Sequence, residues 1–179
     1  MTIWFTADTH FGHENVIRYN KRPFSSVEEM DETLIENWNK VIHPDDTIYH
    51  LGDFTLLGKG PAKSYLNSLT GIIHVVPGGH DHRWIGKDTY TTGTGHPVQI
   101  LPPLQTIKVT LPEPYQYQLI VLCHYSLRVW DRSHYGSWHL YGHSHGNLPP
   151  LDNSLDVGVD CWDYQPVSLD MLASKLIES

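Results

Sequence analysis

The chain opens with the stretch IWFTADTHFGH, which covers residues Ile3–His13. Its first five residues are apolar and β-prone, which predicts a buried strand over residues 3–7. Asp8 and His10 follow that strand directly, so a carboxylate and an imidazole stand two residues apart. Positions i and i+2 of an extended chain project to the same side, so both side chains could reach one cation. We therefore expect a polar site at the carboxyl end of this strand, where open α/β folds usually place their ligands.

Two further strands are predicted in the first half of the chain, and a helix precedes each of them. A capping box that begins at Ser26 introduces a run of apolar residues at helical spacing. Strands that alternate with helices in this way predict βαβ units and a largely parallel sheet. The predicted elements are a helix over 26–42, a strand over 47–51 ending before Gly52-Asp53, a helix over 61–69, and a strand over 72–76 ending before Gly79-His80-Asp81.

The second half of the chain favours β-structure. Three consecutive β segments, separated by prolines, predict a meander over residues 99–101, 104–111 and 116–123, and the last segment ends in His124. A short strand over 138–141 runs into Gly142-His143-Ser144-His145. The sequence contains no linker or repeat, so we expect residues 1–179 to form a single domain.

Composition limits the classes of function. The net charge of −8 and the pI of about 5.8 argue against a large basic surface for duplex nucleic acid. A small phosphate-bearing ligand stays possible, because bound divalent cations would invert the local potential. We expect no signal peptide, because the first predicted strand begins at once, and no apolar run approaches the length of a membrane span; we therefore expect a cytoplasmic protein without membrane contacts. The sequence does not decide the oligomeric state.

The residues at the predicted strand ends share one property, since each offers an oxygen or nitrogen donor and none offers a thiolate. Such donors suit divalent Mn, Fe, Zn, Ni or Co. Their number exceeds what one ion needs, which favours a pair of ions with a carboxylate between them. The set consists of Asp8, His10, Asp53, His80, His124, His143 and His145.

These blocks resemble, in order, the signature motifs of the calcineurin-like metallophosphoesterases. The resemblance implies a four-layer α-β-β-α sandwich of mixed sheets with a dinuclear metal site above the sheet edges. It further implies that His80 stands beside the substrate phosphate as a hydrogen-bond donor or general acid. The implied ligands are Asp8, His10 and His145 for the first ion, and His124 and His143 for the second, with Asp53 bridging both.

The chain departs from the family pattern at two positions. The third block of the family is usually Gly-Asn-His, and the Asn amide oxygen binds the second ion, whereas this chain has Gly79 there. Leu56 stands where the family often has an aspartate that orients the catalytic histidine. We therefore expect a weaker second metal site, unless Asp81 or His82 has taken the vacant position.

The implied activity is hydrolysis of a phosphodiester or phosphomonoester by a metal-activated water. A small phosphoester or a nucleotide is the expected substrate. His13, Gly79 and Arg128 are candidate substrate-binding residues, although His13 could equally be a surface histidine and Arg128 a solvated side chain. The alternative function is a non-catalytic metal-binding scaffold or interaction module.

Overall fold

The computed structural model describes residues 1–111, 116–149 and 151–177. The predicted domain of residues 1–179 therefore includes residues 112–115, 150, 178 and 179, which lie outside the described ranges. Within those ranges the strands are β1 (Ile3–Thr6), β2 (Thr47–His50), β3 (Ile72–Val75), β4 (Gln99–Ile100), β5 (Leu104–Val109), β6 (Gln118–Cys123), β7 (Trp138–Tyr141), β8 (Ser154–Asp156) and β9 (Val167–Ser168).

The strands form two sheets. The first sheet has the order β4-β3-β2-β1-β9, in which β1 to β4 run parallel and β9 runs antiparallel to β1. The second has the order β5-β6-β7-β8, in which only β5 and β6 are antiparallel. The predicted meander is therefore wrong for its first segment, since β4 belongs to the first sheet. Pro102 and Pro103 separate β4 from β5, and because proline has no N–H to donate to a ladder, the chain leaves one sheet there and enters the other.

The helices are α1 (Glu14–Tyr19), α2 (Val27–Val41), α3 (Lys59–Ser68) and α4 (Leu169–Ile177). The predicted cap at Ser26 is present, because its hydroxyl accepts a hydrogen bond from Glu29 N at 3.2 Å. Buried residues of α1, α2 and α3 form one cluster with Ile48 and Ile73 of the first sheet. No helix among the described residues is long and apolar enough to cross a membrane.

The expected four-layer sandwich is wrong, because the second sheet has no helical layer on its outer face within the described residues. Buried residues of α4 belong instead to the cluster between the two sheets, together with Phe5 and Leu140. His139 is adjacent to Leu140 in β7 and therefore points to the opposite, outer face. There an irregular segment covers it, since the Trp130 ring lies 5.3 Å from the His139 ring. The architecture is two small sheets with three helices on the outer face of the first.

The connections between the parallel strands of the second sheet stand where a fourth layer was expected. Parallel neighbours need a crossover connection of a dozen or more residues, which is usually an α-helix. Here the crossovers are residues 124–137 between β6 and β7, and residues 142–153 between β7 and β8. Neither contains an α-helix in the described residues, although Ser133–Tyr135 forms one 3-10 turn, and together they contain His124, His143 and His145. The second sheet therefore uses its crossovers to build a polar site.

Candidate metal centre

Six of the predicted site residues converge in two groups at the carboxyl ends of the strands. Within each group, one donor atom from each residue lies within 4.8 Å of the others, so each group could hold a metal ion. The first group lies mostly in the interior, whereas His143 opens the second group to solvent. The groups are Asp8, His10 and His145, and Asp53, His124 and His143.

Asp53 stands between the two groups. Its Oδ2 atom lies 3.4 Å from His124 Nε2 in its own group and 3.7 Å from His10 Nε2 in the other. His80 Nε2 is also 3.7 Å from the same oxygen, and the His80 imidazole is about half exposed. One carboxylate thus contacts both donor groups and the candidate catalytic histidine.

Gly52 allows Asp53 to reach this position. Its φ of +88° is one that residues with a side chain rarely adopt, and a Cβ there would clash with the backbone of Gly78. The absence of a side chain lets the chain after β2 pass directly against the chain after β3. Position 52, directly before Asp53, therefore requires glycine for a steric reason.

Most of the candidate ligands have strained backbones. A left-handed conformation at a residue other than glycine costs about 1–3 kcal/mol, and such residues cluster at functional sites. Aspartate and histidine tolerate this region better than most residues. The affected ligands and their φ values are Asp8 at 57°, His10 at 52°, Asp53 at 54°, His143 at 66° and His145 at 48°.

Several buried oxygen and nitrogen atoms that could bind a metal have no hydrogen-bond partner. They are Asp8 Oδ1, both ring nitrogens of His10, and His124 Nε2. A buried polar atom without a partner costs about 1–3 kcal/mol, so four in one place need an explanation. Divalent cations would satisfy them, since carboxylate oxygen and imidazole nitrogen are suitable ligands for transition metals. The residues present therefore fit metal ions.

Two of the histidines are oriented by hydrogen bonds on their Nδ1 side. His124 Nδ1 lies 2.8 Å from Leu51 O, and His145 Nδ1 lies 2.7 Å from Asp160 Oδ2. Both of these oxygens accept, so Nδ1 donates to them; the Asn20 side-chain amide also lies 3.1 Å from His145 Nδ1. In the neutral imidazole, Nε2 then keeps a free lone pair, which is the arrangement that histidine ligands usually have.

Burial and neighbouring charges raise the pKa of some of these groups and lower the pKa of others. Burial raises the pKa of Asp8 to about 7 and lowers that of His10 well below its usual range. Burial also opposes ionisation of Asp53, but the nearby imidazoles, above all that of His124 at 3.4 Å, outweigh this and lower the Asp53 pKa. For His124, burial lowers the pKa, and the Asp53 carboxylate more than compensates, so the net shift is upward. The centre therefore stabilises positive charge next to Asp53.

Arg22 supports the first donor group through hydrogen bonds, and no sequence motif indicated this role. Its Nε and Nη2 donate to the two carboxylate oxygens of Asp160 at 2.9 and 2.8 Å. Its guanidinium also donates to the carbonyl oxygens of Asp8 at 2.7 Å and Thr9 at 3.1 Å. Arg22 is buried, so these contacts fix both the turn after β1 and the carboxylate that orients His145. Arg22 and Asp160 are 138 positions apart, and no local pattern connects them.

Asp81 and His82 do not replace the amide that Gly79 lacks. The buried Asp81 carboxylate accepts from the backbone N–H groups of Asp53 and Gly78, both at 2.8 Å, and from the Trp84 indole at 2.8 Å. His82 is exposed, and its Nδ1 lies 3.0 Å from Gly79 O. Both side chains are thus directed at the backbone, and Asp81 fixes the turn that presents Asp53.

Replacing Asp81 by alanine is expected to lower the free energy of unfolding by about 3–5 kcal/mol, because several buried N–H groups lose a charged acceptor. Chemical denaturation of Asp81→Ala measures this loss. Asp88→Ala is the matched control, since Asp88 pairs with Lys59 at the surface, where an ion pair contributes about 0–1 kcal/mol. Equal stability of the two variants would contradict the role assigned to Asp81.

The three candidate substrate-binding residues have different positions. The His13 ring lies 5.4 Å from the His10 ring, beside the first group, and burial lowers its pKa. Gly79 lies beside the second group, with Asp53 Oδ1 4.0 Å from where its Cβ would be. Arg128 is exposed and has no hydrogen bond or ion pair to the described part of the chain. The structure therefore brings His13 and Gly79 to the centre and leaves Arg128 away from its hydrogen-bond network.

The chain is similar in sequence to two known proteins. No family model matches it. It is 35% identical over 186 residues to the uncharacterized protein MJ1445 of Methanocaldococcus jannaschii, which covers 98% of this chain and 91% of that protein. It is 33% identical over 81 residues to the gene 66 protein of Mycobacterium phage L5, covering 44% of this chain and 39% of that protein.

Among solved structures, the protein of unknown function AQ665 from Aquifex aeolicus aligns with a TM-score of 0.69. The alignment covers 97% of this chain and 98% of AQ665, at 23% sequence identity. This likeness shows a shared fold over nearly the full length of both chains.

Proposed function

This chain belongs to the family of the Methanocaldococcus jannaschii protein MJ1445, and we propose that it is a metal-dependent phosphoesterase. The observation that carries the proposal is the pair of three-residue donor groups joined by Asp53, with unpartnered buried donor atoms at their centre. The resemblance of the motif residues to those of calcineurin-like metallophosphoesterases supports the same reaction class.

The proposed cofactors are two divalent transition-metal ions, from the series Mn, Fe, Zn, Ni and Co. Asp8, His10 and His145 would hold the first ion. His124 and His143 would hold the second, and Asp53 would contact both. The second group has an exposed member, His143, and Gly79 adds no ligand to it. We therefore expect the second ion to bind more weakly than the first.

The proposed reaction is attack of water on phosphorus. Bound divalent ions would supply Lewis acidity, lowering the pKa of a shared water and offsetting charge on the phosphoryl oxygens. His80 is the candidate general acid, because its imidazole is half exposed and lies next to the Asp53 carboxylate. A positioned acid of this kind contributes about 10²–10⁴-fold to the rate. The protein otherwise contributes position and charge, and no nucleophilic side chain is required.

We propose a small phosphoester or nucleotide as substrate, with diesters preferred over monoesters. The side chains of His80 and His143 are exposed, so the second ester group of a diester could extend into solvent there. The cytoplasmic location stays a prediction from the sequence.

Elemental analysis of the purified protein is expected to find a transition metal, and chelation is expected to remove both the metal and the activity. The activity panel should contain an aryl phosphodiester, an aryl phosphomonoester and cyclic nucleotides, each measured with added Mn²⁺, Zn²⁺ and Ni²⁺. A protein that holds no metal and whose unfolding temperature ignores all three ions would refute the proposal. Tight metal binding without turnover of any substrate would favour the scaffold alternative.

A further inference from the structure

The space in front of Gly79 has one polar neighbour besides Asp53. A Cβ built on Gly79 would lie 3.0 Å from the hydroxyl oxygen of Tyr125 and 4.0 Å from Asp53 Oδ1, and no other atom outside the adjacent residues comes within 4 Å. The position without a side chain is thus bordered by a phenol oxygen and a carboxylate oxygen, and is otherwise open.

The Tyr125 side chain is held over the second donor group. Its ring centroid lies 4.8 Å from that of His124 and 4.8 Å from that of His143, edge to face in both cases. Such contacts fix the orientation of an aromatic ring. The side chain is nevertheless 47% exposed, and its hydroxyl has no hydrogen-bond partner among the described residues. The ring is therefore anchored by two candidate ligands, while its hydroxyl faces the open space.

We infer that the Tyr125 hydroxyl donates a hydrogen bond to a phosphoryl oxygen of the substrate, which occupies the space in front of Gly79. A phosphoryl oxygen only accepts hydrogen bonds, and a phenol hydroxyl can donate one. The inference rests on the proposed phosphoesterase function and adds a residue that contacts the substrate. His80 Nε2, 3.7 Å from the other oxygen of the Asp53 carboxylate, would be the second donor near the same phosphoryl group.

A direct bond from Tyr125 to the second ion is the competing role, and the donor set argues against it. Asp53, His124 and His143 already supply three protein ligands, which is the number that catalytic sites commonly use while they keep a position open. A phenol must also lose its proton before it binds a metal, whereas it donates a hydrogen bond without any such change. Removal of the hydroxyl should therefore leave metal binding intact.

The test compares Tyr125→Phe with the parent and with Tyr135→Phe. Tyr135 belongs to the same crossover and is 80% exposed, so its variant removes a phenol hydroxyl outside the donor groups. Calorimetry with Mn²⁺ measures the metal stoichiometry and affinity, and a second titration with inorganic phosphate measures the Kd of the metal-loaded protein. We expect unchanged metal binding in both variants. We expect the phosphate Kd of Tyr125→Phe to rise about 10–100-fold, the usual effect of one hydrogen bond to a charged group, and that of Tyr135→Phe to stay at the parent value.

The possible outcomes separate this inference from the proposed function. A parent protein that binds no metal would overturn both. A parent that binds metal and phosphate, with a Tyr125→Phe variant that binds phosphate equally well, would overturn only the role of Tyr125. Loss of the second ion in Tyr125→Phe would also overturn it, because the hydroxyl would then be a metal ligand. A metal-loaded parent that does not bind phosphate would overturn the inferred phosphoryl position.

Discussion

Replacing Asp53 by asparagine should reduce phosphodiester hydrolysis by about 10³-fold while the fold stays intact. Asp53 is the carboxylate that contacts both donor groups, at 3.7 Å from His10 Nε2 and 3.4 Å from His124 Nε2. An asparagine amide has the same shape but only one oxygen and no charge, so it cannot join two cations equally well. Charge stabilisation by metal ions is worth several kcal/mol, and each 1.36 kcal/mol is a factor of ten in rate.

The fold of Asp53→Asn should persist because the amide oxygen can still accept the hydrogen bond that His80 N donates to Asp53 Oδ1 at 2.9 Å. Asp45→Asn is the matched control. Asp45 is exposed and precedes β2, whereas Asp53 follows it, so the two carboxylates lie at opposite ends of one strand. The measurements are the turnover of an aryl phosphodiester, the metal stoichiometry and the unfolding temperature. Turnover of Asp53→Asn at the parent rate would refute the proposed mechanism.

Replacing Arg22 by methionine should destabilise the protein by about 3–5 kcal/mol. The change removes the two hydrogen bonds from Arg22 to the Asp160 carboxylate and the two from Arg22 to the carbonyl oxygens of Asp8 and Thr9. A buried carboxylate that loses its arginine partner typically costs this much. For a chain of this length the unfolding temperature should fall by about 6–20 °C, since each kcal/mol corresponds to about 2–4 °C.

The same variant should weaken the first metal ion. The Asp160 carboxylate accepts from His145 Nδ1 at 2.7 Å, and loss of such an outer partner typically reduces metal affinity by about 10–100-fold. Calorimetric titration with Mn²⁺ measures this change. Arg18→Met is the control, because Arg18 lies in α1, four residues earlier in the chain, and its hydrogen bond to Asn15 is exposed.

A second substitution distinguishes the lost charge pair from lost packing. Asp160→Asn in the Arg22→Met background removes the unpaired charge, so part of the stability should return. If the double variant is as unstable as the sum of the two single variants, Arg22 acts mainly through its packing and its bonds to the backbone. Unchanged metal affinity in Arg22→Met would show that His145 keeps its position without this pair.

The sequence determined the three parallel strands β1, β2 and β3 of the first sheet and the candidate ligands that follow them. Apolar β-prone runs predicted β1, β2 and β3, and polar residues directly after them predicted that Asp8, His10 and Asp53 would meet at one edge. Helical spacing after Ser26 predicted α2. These features are local, because the alternation of side chains along a strand and the spacing along a helix repeat within a few residues.

The pairing partner of β4 and the segment that covers the second sheet could not be predicted from the same local patterns. Gln99 and Ile100 have the composition of a strand, but pairing with β3 rather than β5 depends on where the chain turns after Pro102-Pro103. That the described residues place no helix over the second sheet depends on how the crossover 124–137 packs, with Trp130 against His139. A strand pattern states which residues alternate, and it does not state which neighbour will pair with them.

Only the tertiary structure decided how the centre is supported. Arg22 and Asp160 are 138 positions apart, and neither stands in a motif that refers to the other. Tyr125 and Gly79 are also distant in sequence, yet the hydroxyl of one borders the space left by the other. Sequence periodicity reports which face of an element is buried, because burial follows from the local alternation of apolar residues. Contacts between side chains on different elements form only when those elements pack, so the charge pair behind His145 and the phenol in front of Gly79 had no signal in the sequence.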